Sequence, residues 1–286
     1  MAESPLRGRY VMAGRVRTHY SEAGHNGPPL VLCHGGGAGS SGEAGFGRMM
    51  PALGREFTVY ALDSIGGYGD TDVAFPATLG IQSRLEHLED FVDALCLDRI
   101  CIGGNSQGAW VAAQYALRNP ERVRKLVLVA SSTIAGAMGL EIPETEGMRA
   151  LASYDGTREG MRRTLEALIW DHSQITDELI DRRQAAASRP GAAEARRTFA
   201  AGTRRVNSDP NLRLTYEMNH TLPRLTIPTI FIWGEEDKFA PVTLGRQLEP
   251  LLPNVAFHYV ARAGHQAQND QPDEVARIML RFLTDD

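Results

Sequence analysis

Short apolar runs rich in β-branched residues alternate with longer amphipathic stretches along most of the chain. Continuous apolar runs of this kind are typical of parallel strands that helices cover on both faces. The runs predict strands at residues 29–33, 57–63, 99–105, 125–131, 228–234 and 255–261.

The stretches between these runs carry helical patterns. Residues 80–97 place apolar side chains three or four positions apart, residues 108–119 end at Pro120, and residues 273–283 form a third amphipathic segment. Residues 9–24 alternate around Gly14 and predict an antiparallel hairpin at the sheet edge. The order of elements therefore predicts an α/β fold with a mostly parallel, doubly wound sheet.

The alternation stops between residues 138 and 222. This interval lacks apolar strand runs and contains helical patterns such as "GMRRTLEALIWD" and "TDELIDRRQAAAS". We predict a helical cap, or lid, at 138–222 that is inserted after the sixth strand. The core domain then consists of residues 1–137 and 223–286.

Composition narrows the classes of partner. The 286 residues carry a formal net charge of −5 and no basic block, which argues against nucleic acid or an anionic membrane surface as partners. No apolar run approaches the roughly 20 residues that span a bilayer, and the start of the sequence lacks a signal-peptide pattern. Three cysteines do not suggest a disulfide framework. We expect a soluble, cytoplasmic protein.

The segment "CIGGNSQGAW" carries the first candidate for chemistry. Its pattern G-x-S-x-G places Ser106 between Gly104 and Gly108, after a predicted strand and before a predicted helix. This is the context of a nucleophile elbow, in which a sharp turn exposes the serine and the following helix N-terminus favours negative charge. A Gly-rich turn with a purely structural role has the same bare pattern, and the flanking elements favour the elbow.

A serine nucleophile needs a base and a group that orients the base. His265 lies in the loop between the last predicted strand and the last helix, which makes it the candidate base. The acid should precede it, and "WGEEDKFAP" offers Glu235, Glu236 and Asp237 after a strand. We favour Asp237 because it lies furthest into the loop.

The oxyanion donors are expected to be two backbone N–H groups. One belongs to Gln107, which follows the serine, and the other to the turn "HGGG", where we favour Gly36. The adjacent Cys33 and His34 lack a second cluster with metal-ligand spacing, so we interpret them as structural. The Gly-rich turn also lacks the spacing of a nucleotide-binding loop.

With these parts in order, the sequence resembles the α/β-hydrolase family, and within it the meta-cleavage product hydrolases. Those enzymes split a carbon–carbon bond in vinylogous 1,5-diketones formed by aromatic ring fission. The matching stretches are "CHGGGAGS", "LDSIGGYGDTD", "GGNSQGA", "LIWDHSQITDELIDRR", "FIWGEEDKFAP" and "AGHQAQ". The resemblance implies a triad of Ser106, Asp237 and His265, an oxyanion hole of Gly36 and Gln107, and no cofactor or metal.

The resemblance also implies residues that bind a small-molecule substrate. Asn105 and a cap arginine would bind the carboxylate and dienol end, since a guanidinium holds a carboxylate with two parallel hydrogen bonds. We favour Arg183 as this arginine, with its neighbour Arg182 as the alternative. Gly37 would lie beside the substrate in the Gly-rich turn. Similarity further implies a homo-oligomer, a dimer or larger.

Three positions depart from the family pattern. Gln266 stands after the histidine where the family usually has tryptophan, and Gly45 falls where asparagine is often found. A cap aromatic is replaced by Leu168, with Trp170 nearby. These changes leave the triad intact and predict a reshaped, more polar substrate pocket.

Two other functions are compatible with the same residues. A carboxylesterase or lactonase would use the same triad and oxyanion hole on a small ester. A receptor that keeps the triad but binds its ligand without turnover belongs to a different class. Dehalogenases and epoxide hydrolases need a carboxylate nucleophile where Ser106 stands, so they are disfavoured.

Overall fold

An eight-stranded sheet forms the centre of the protein, for which the structure, a computed structural model, describes residues 6–285. The strands are β1 Arg7–Ala13, β2 Val16–Ala23, β3 Pro29–Cys33, β4 Thr58–Leu62, β5 Ile100–Asn105, β6 Val123–Val129, β7 Thr229–Gly234 and β8 Val255–Val260. Their order across the sheet is β1-β2-β4-β3-β5-β6-β7-β8. The strands β1 and β2 pair antiparallel at one edge, β2 pairs antiparallel with β4, and the other pairs are parallel. The predicted fold class is confirmed.

Helices fill the connections and cover the sheet. They are α1 Gly42–Phe46, α2 Met50–Leu53, α3 Ile81–Ala94, α4 Gln107–Arg118, α5 Ser132–Ala137, α6 Glu146–Ala152, α7 Arg158–Leu168, α8 Asp177–Ala187, α9 Ala192–Ser208, α10 Pro210–Tyr216, α11 Val242–Leu248, α12 Ala267–Asp270 and α13 Pro272–Thr284. The three helical patterns read from the sequence correspond to α3, α4 and α13.

The central strands are buried on both faces, as their continuous apolar runs predict. All six residues of β5 are buried, and Leu30 and Leu32 of β3 have no exposed surface. Each such leucine contributes about 1.5–3 kcal/mol relative to an exposed side chain. The core therefore fixes the carboxyl ends of β3 and β5 rigidly, and the candidate chemistry lies at those ends.

The interval between β6 and β7 is helical. Helices α6, α7 and α8 begin after Thr145, Thr157 and Thr176, whose hydroxyl oxygens accept hydrogen bonds from backbone N–H groups of the first turn. Such a cap stabilises a helix by about 1 kcal/mol, which explains where each of these polar helices starts.

These helices have a small hydrophobic cluster of their own. Its members are Met161, Leu165, Leu168, Ile169, Ile175, Ile180 and Ala187, together with Ala38 of the turn after β3. The cluster thus packs the helices of this interval against the Gly-rich turn. The division into a core and a cap at residues 138–222 stays a prediction.

Within residues 6–285, no helix is both long and apolar enough to cross a membrane.

Candidate active site

Ser106 occupies a sharp turn between β5 and α4. Its backbone has φ 58° and ψ −121°, which a residue with a side chain rarely adopts. The flanking glycines are required sterically, because a Cβ at Gly104 would lie 2.1 Å from the Gly108 carbonyl oxygen, and one at Gly108 would lie 2.0 Å from the Cys33 oxygen. Ser106 N–H donates to the carbonyls of Val129 (2.9 Å) and Ala130 (3.1 Å). The close packing at Gly104 and Gly108 and the two hydrogen bonds from the Ser106 N–H therefore hold Ser106 in this strained conformation.

His265 and Asp237 form a buried pair. Nδ1 of His265 lies 2.8 Å from Oδ2 of Asp237, and the side chains are 3% and 0% exposed. The other carboxylate oxygen of Asp237 accepts hydrogen bonds from the N–H groups of Phe239 (2.8 Å) and Ala240 (2.7 Å). Nε2 of His265 is buried and has no hydrogen-bond partner among residues 6–285. An imidazole oriented in this way has one free nitrogen to exchange a proton.

The two neighbouring glutamates are engaged elsewhere. Glu235 lies 3.8 Å from Arg246 at the surface, and Glu236 accepts a hydrogen bond from the backbone N–H of Ala263 at 2.9 Å. Of the three acids in this loop, the structure brings Asp237 to His265.

The Gly-rich turn after β3 lies against the first residue of α4. A Cβ at Gly36 would lie 2.7 Å from Oε1 and 3.0 Å from Nε2 of Gln107, so the Gln107 amide packs directly on Gly36. The Ser40 hydroxyl donates to the Gly36 carbonyl at 2.8 Å. Gly37 has φ 101°, which favours glycine, and faces Leu151 of α6. The two segments predicted to carry the oxyanion donors are thus adjacent.

Asn105 ties the serine strand to the histidine loop. Its Nδ2 donates to the carbonyl oxygens of His265 (3.0 Å) and Val129 (3.3 Å), and the residue is 2% exposed. These bonds fix the position of His265 relative to β5. The substrate-binding role of Asn105 stays a prediction.

The two candidate cap arginines differ in their surroundings. Arg182 is exposed and forms an ion pair with Glu43 at 3.0 Å. Arg183 is 2% exposed, its Nη2 lies 3.5 Å from the Ser40 hydroxyl, and its Nε has no hydrogen-bond partner in the described part of the chain. Burial, with a contribution from Arg182, lowers the pKa of Arg183 to about 10, so it is still a cation at neutral pH.

A cavity of about 460 Å³ lies beside the two cap arginines and Gln266, and its lining residues do not include Ser106, Asp237 or His265. It is lined by Arg183, Gln266, Asn269, the apolar Leu165 and Ile169, and further residues of α1 and α8. Oε1 of Gln266 accepts a hydrogen bond from Nδ2 of Asn269 at 2.9 Å. The residue after His265 therefore presents an amide to the cavity.

The other predicted pocket positions, Gly45, Leu168 and Trp170, are not among the residues that line this cavity. Gly45 packs against His34, whose Cβ would lie 3.3 Å from a Cβ at position 45. Leu168 is buried, and its carbonyl accepts a hydrogen bond from the Gln266 N–H at 3.2 Å, which joins α7 to the histidine loop. Trp170 is 40% exposed. The substrate contacts of these residues stay predictions.

The adjacent Cys33 and His34 are buried and serve packing. Burial raises the pKa of Cys33 to about 12 and, helped by the charge of Arg84, lowers the pKa of His34 to about 3. Nε2 of His34 accepts a hydrogen bond from the Ser64 N–H at 3.1 Å. Across residues 6–285 no group of three or more His, Cys, Asp or Glu side chains is arranged to hold a metal ion.

One residue beside the site was missed from the sequence. Arg84 of α3 is fully buried and hydrogen bonds to Gln107 and to the His34 carbonyl. A signal was available, because Arg84 stands three residues after Ile81 and four before Leu88. At helical spacing these positions share the apolar face of α3.

Comparisons with known proteins were made on sequence and on structure. Residues 28–272 match the family described as alpha/beta hydrolase fold. The chain is 32% identical over 282 residues to the 2-hydroxy-6-oxo-2,4-heptadienoate hydrolase of Pseudomonas putida, with 96% of each chain covered. It is 31% identical to a 2-hydroxy-6-oxononadienedioate/2-hydroxy-6-oxononatrienedioate hydrolase of Paraburkholderia xenovorans, which covers 94% of this chain and 91% of the relative.

Among solved structures, a meta-cleavage product hydrolase from Pseudomonas fluorescens superposes with a TM-score of 0.82 at 30% identity. The match covers 96% of this chain and 97% of that structure.

Proposed function

Because the chain belongs to the α/β-hydrolase family, and within it to the meta-cleavage product hydrolases, we propose that this hydrolase cleaves a carbon–carbon bond in a vinylogous 1,5-diketone from aromatic ring fission. The nucleophile is Ser106, the base is His265, and Asp237 orients the base. The donors of the oxyanion hole are the N–H groups of Gly36 and Gln107.

The observation that carries the proposal is the buried guanidinium of Arg183 at the wall of the cavity. A buried cation without an acidic partner is costly unless a ligand supplies the opposite charge. No carboxylate forms an ion pair with Arg183 in the described part of the chain, and the only charged group that contributes to its pKa is the cation Arg182. A substrate with a carboxylate next to its dienol group would fill this position with two charge-assisted hydrogen bonds.

The reaction begins when the bound dienol becomes the keto tautomer, in which the hydroxyl proton has moved to the carbon beside the distal carbonyl. The fragment can then leave as a stabilised dienolate when the bond breaks. Ser106 Oγ then adds to the distal carbonyl while its proton moves to Nε2 of His265. The N–H groups of Gly36 and Gln107 hold the resulting oxyanion.

The carbon–carbon bond breaks next, and its electron pair stays on the dienolate carbon, which takes the proton from His265. The other fragment remains as an ester of Ser106. Water, deprotonated by His265, hydrolyses this ester and releases a carboxylic acid.

An esterase or lactonase is the second candidate. It is favoured by Gln266, whose amide lines the cavity where the family usually has tryptophan. The same serine, base and oxyanion donors would hydrolyse a small ester without any need for Arg183.

The two candidates differ in what they do to coloured ring-fission products. The protein is incubated with 2-hydroxy-6-oxohexa-2,4-dienoates that carry a methyl or a phenyl group at the distal carbonyl, and in parallel with p-nitrophenyl esters. Loss of the yellow colour, with one equivalent of acetate or benzoate released, is expected. Ester hydrolysis without bleaching of either dienoate would overturn the carbon–carbon cleavage and favour the esterase. Binding without any turnover would favour the receptor.

A further inference from the structure

Arg84 is the second buried guanidinium beside the site. It belongs to α3 and has no exposed surface, and among residues 6–285 no acidic side chain contributes an ion pair to it. Taking a cation out of water without a counter-charge is unfavourable. Apolar side chains occupy the neighbouring positions of this helix face, so packing alone does not require an arginine here.

The hydrogen bonds of Arg84 join three separate segments of the chain. Its Nη1 donates to Oε1 of Gln107 at 3.2 Å, and its Nη2 donates to the carbonyl oxygen of His34 and, at 3.1 Å, to the hydroxyl of Ser64. His34 immediately precedes the Gly-rich turn, and Gln107 is the first residue of α4. One planar group thus bonds to both segments that carry the proposed oxyanion donors.

The Gln107 side chain, whose Oε1 accepts the hydrogen bond from Arg84, also packs against Gly36. Its amide packs on Gly36 so closely that a Cβ there would lie 2.7 Å from Oε1. The Ser40 hydroxyl donates a hydrogen bond to the Gly36 carbonyl at 2.8 Å. Gly36 is therefore contacted by both the Ser40 hydroxyl and the Gln107 amide, and Arg84 hydrogen bonds to that amide.

The charge of Arg84 also lies close to this turn. Its Cζ is 5.2 Å from the centre of the Tyr68 ring, a cation–π contact that limits its movement. A fixed positive charge in a buried region stabilises negative charge that develops nearby, and it needs no reorganisation when the reaction occurs.

We propose that Arg84 is a positioning residue of the oxyanion hole. It holds the Gly36 and Gln107 donors in register, and its uncompensated charge lowers the energy of the oxyanion. This proposal rests on the proposed function, and it adds a residue that acts on the transition state without touching the substrate.

The test compares Arg84→Met, which removes the charge and the bonds, with Arg84→Lys, which keeps the charge but loses the bridging fork. Arg122→Met is the matched control, because Arg122 also donates to a backbone carbonyl, that of Leu97 at 3.0 Å, and pairs with Asp93 away from the site. The concentration of active sites is measured for each variant by stoichiometric labelling with a fluorophosphonate.

We expect Arg84→Met to lower kcat per labelled site about 10- to 100-fold with KM nearly unchanged, because the interaction strengthens only in the transition state. Arg84→Lys should recover part of this loss. Affinity for a boronic acid, which forms an anionic tetrahedral adduct, should fall by a factor similar to that of kcat. Arg122→Met should match the unsubstituted protein.

A purely structural role would lower the number of labelled sites or the melting temperature and leave kcat per site unchanged, and that result would overturn the proposal. If Arg84→Met does not fold, Arg84→Lys and Gln107→Met are combined, since the latter removes the acceptor Oε1 but keeps the backbone donor. Effects on kcat that are less than additive support the bridge, and additive effects contradict it. Failure of the unsubstituted protein to react with the fluorophosphonate would instead refute the proposed function.

Discussion

Asp237 divides its two carboxylate oxygens between His265 and the backbone. Oδ2 lies 2.8 Å from Nδ1 of His265, while Oδ1 accepts from the N–H groups of Phe239 and Ala240 at 2.8 and 2.7 Å. The backbone donors thus fix which oxygen faces the imidazole. This division makes the substitution Asp237→Asn informative.

In Asp237→Asn the amide oxygen must stay on the two backbone N–H groups, so the amide NH2 faces Nδ1 of His265. Nδ1 then has to accept, the proton moves to Nε2, and the base can no longer take the serine proton. We expect kcat to fall by about 10⁴ with little change in melting temperature. Glu235→Gln, at the surface of the same loop, should retain full kcat, and an equal loss in both variants would contradict the assignment.

Ser106 stores backbone strain that function requires. A side chain at φ 58° and ψ −121° costs on the order of 1–3 kcal/mol, and glycine does not incur this cost. Ser106→Gly should therefore be more stable than Ser106→Ala by about 1 kcal/mol in urea unfolding, although neither variant turns over substrate. Without strain the greater chain entropy of glycine in the unfolded state would make Ser106→Gly the less stable variant, and that result would contradict the strained turn.

Arg183 is expected to act on substrate binding. Arg183→Gln should raise KM for a ring-fission product by about 100-fold, because two charge-assisted hydrogen bonds to the carboxylate are lost. Turnover of an uncharged p-nitrophenyl ester should change little. Arg182→Gln is the matched comparison, because Arg182 lines the same cavity but is exposed and paired with Glu43; a larger effect in this variant would assign the carboxylate to Arg182 instead.

The pair formed by the partly buried His19 and the buried Asp63 makes stability depend on pH. Nδ1 of His19 lies 2.8 Å from Oδ2 of Asp63, and Oδ1 of Asp63 accepts from the Gly42 N–H at 2.7 Å. Burial lowers the pKa of His19, but the hydrogen bond and charge of Asp63 outweigh it and the net pKa is raised above 6.5. Burial raises the pKa of Asp63, but the bonds and charge of His19 prevail and the net pKa falls below 3.8.

The stabilisation by His19 is therefore fully present below about pH 6.5 and is lost as pH rises through its raised pKa. The contribution of Asp63 is present above about pH 3.8 and is lost as pH falls through its lowered pKa. We expect His19→Gln to destabilise the protein most between these limits, with the difference shrinking at alkaline pH. Urea unfolding across this range measures it, and a difference that stays constant into the alkaline range would refute the ion pair.

The sequence predicts the fold and the order of the candidate site well, because both depend on local patterns. Continuous apolar runs identify parallel strands, and the loops after β5, β7 and β8 carry Ser106, Asp237 and His265 in the expected order. Parallel strands bring their carboxyl ends to one edge, so separate loops meet there.

Contacts between distant segments could not be predicted in this way. Nothing local distinguishes Arg183 from Arg182, since burial depends on how α8 rotates against the turn after β3. The spacing places Arg84 on the apolar face of α3, but its hydrogen-bond partners Gln107 and His34 are brought to it only when α3, β3 and α4 pack together.

The most direct test of carbon–carbon cleavage by Ser106 is a single-turnover reaction with a yellow ring-fission product, 2-hydroxy-6-oxohepta-2,4-dienoate. Absorbance and acid quench are followed together for the unsubstituted protein and for Ser106→Ala. We expect the unsubstituted protein to bleach the compound, to release one equivalent of acetate and to form a transient acyl ester on Ser106, whereas Ser106→Ala should bind the compound without cleaving it. Cleavage by Ser106→Ala at the unsubstituted rate, or no cleavage by either protein, would contradict carbon–carbon cleavage by Ser106.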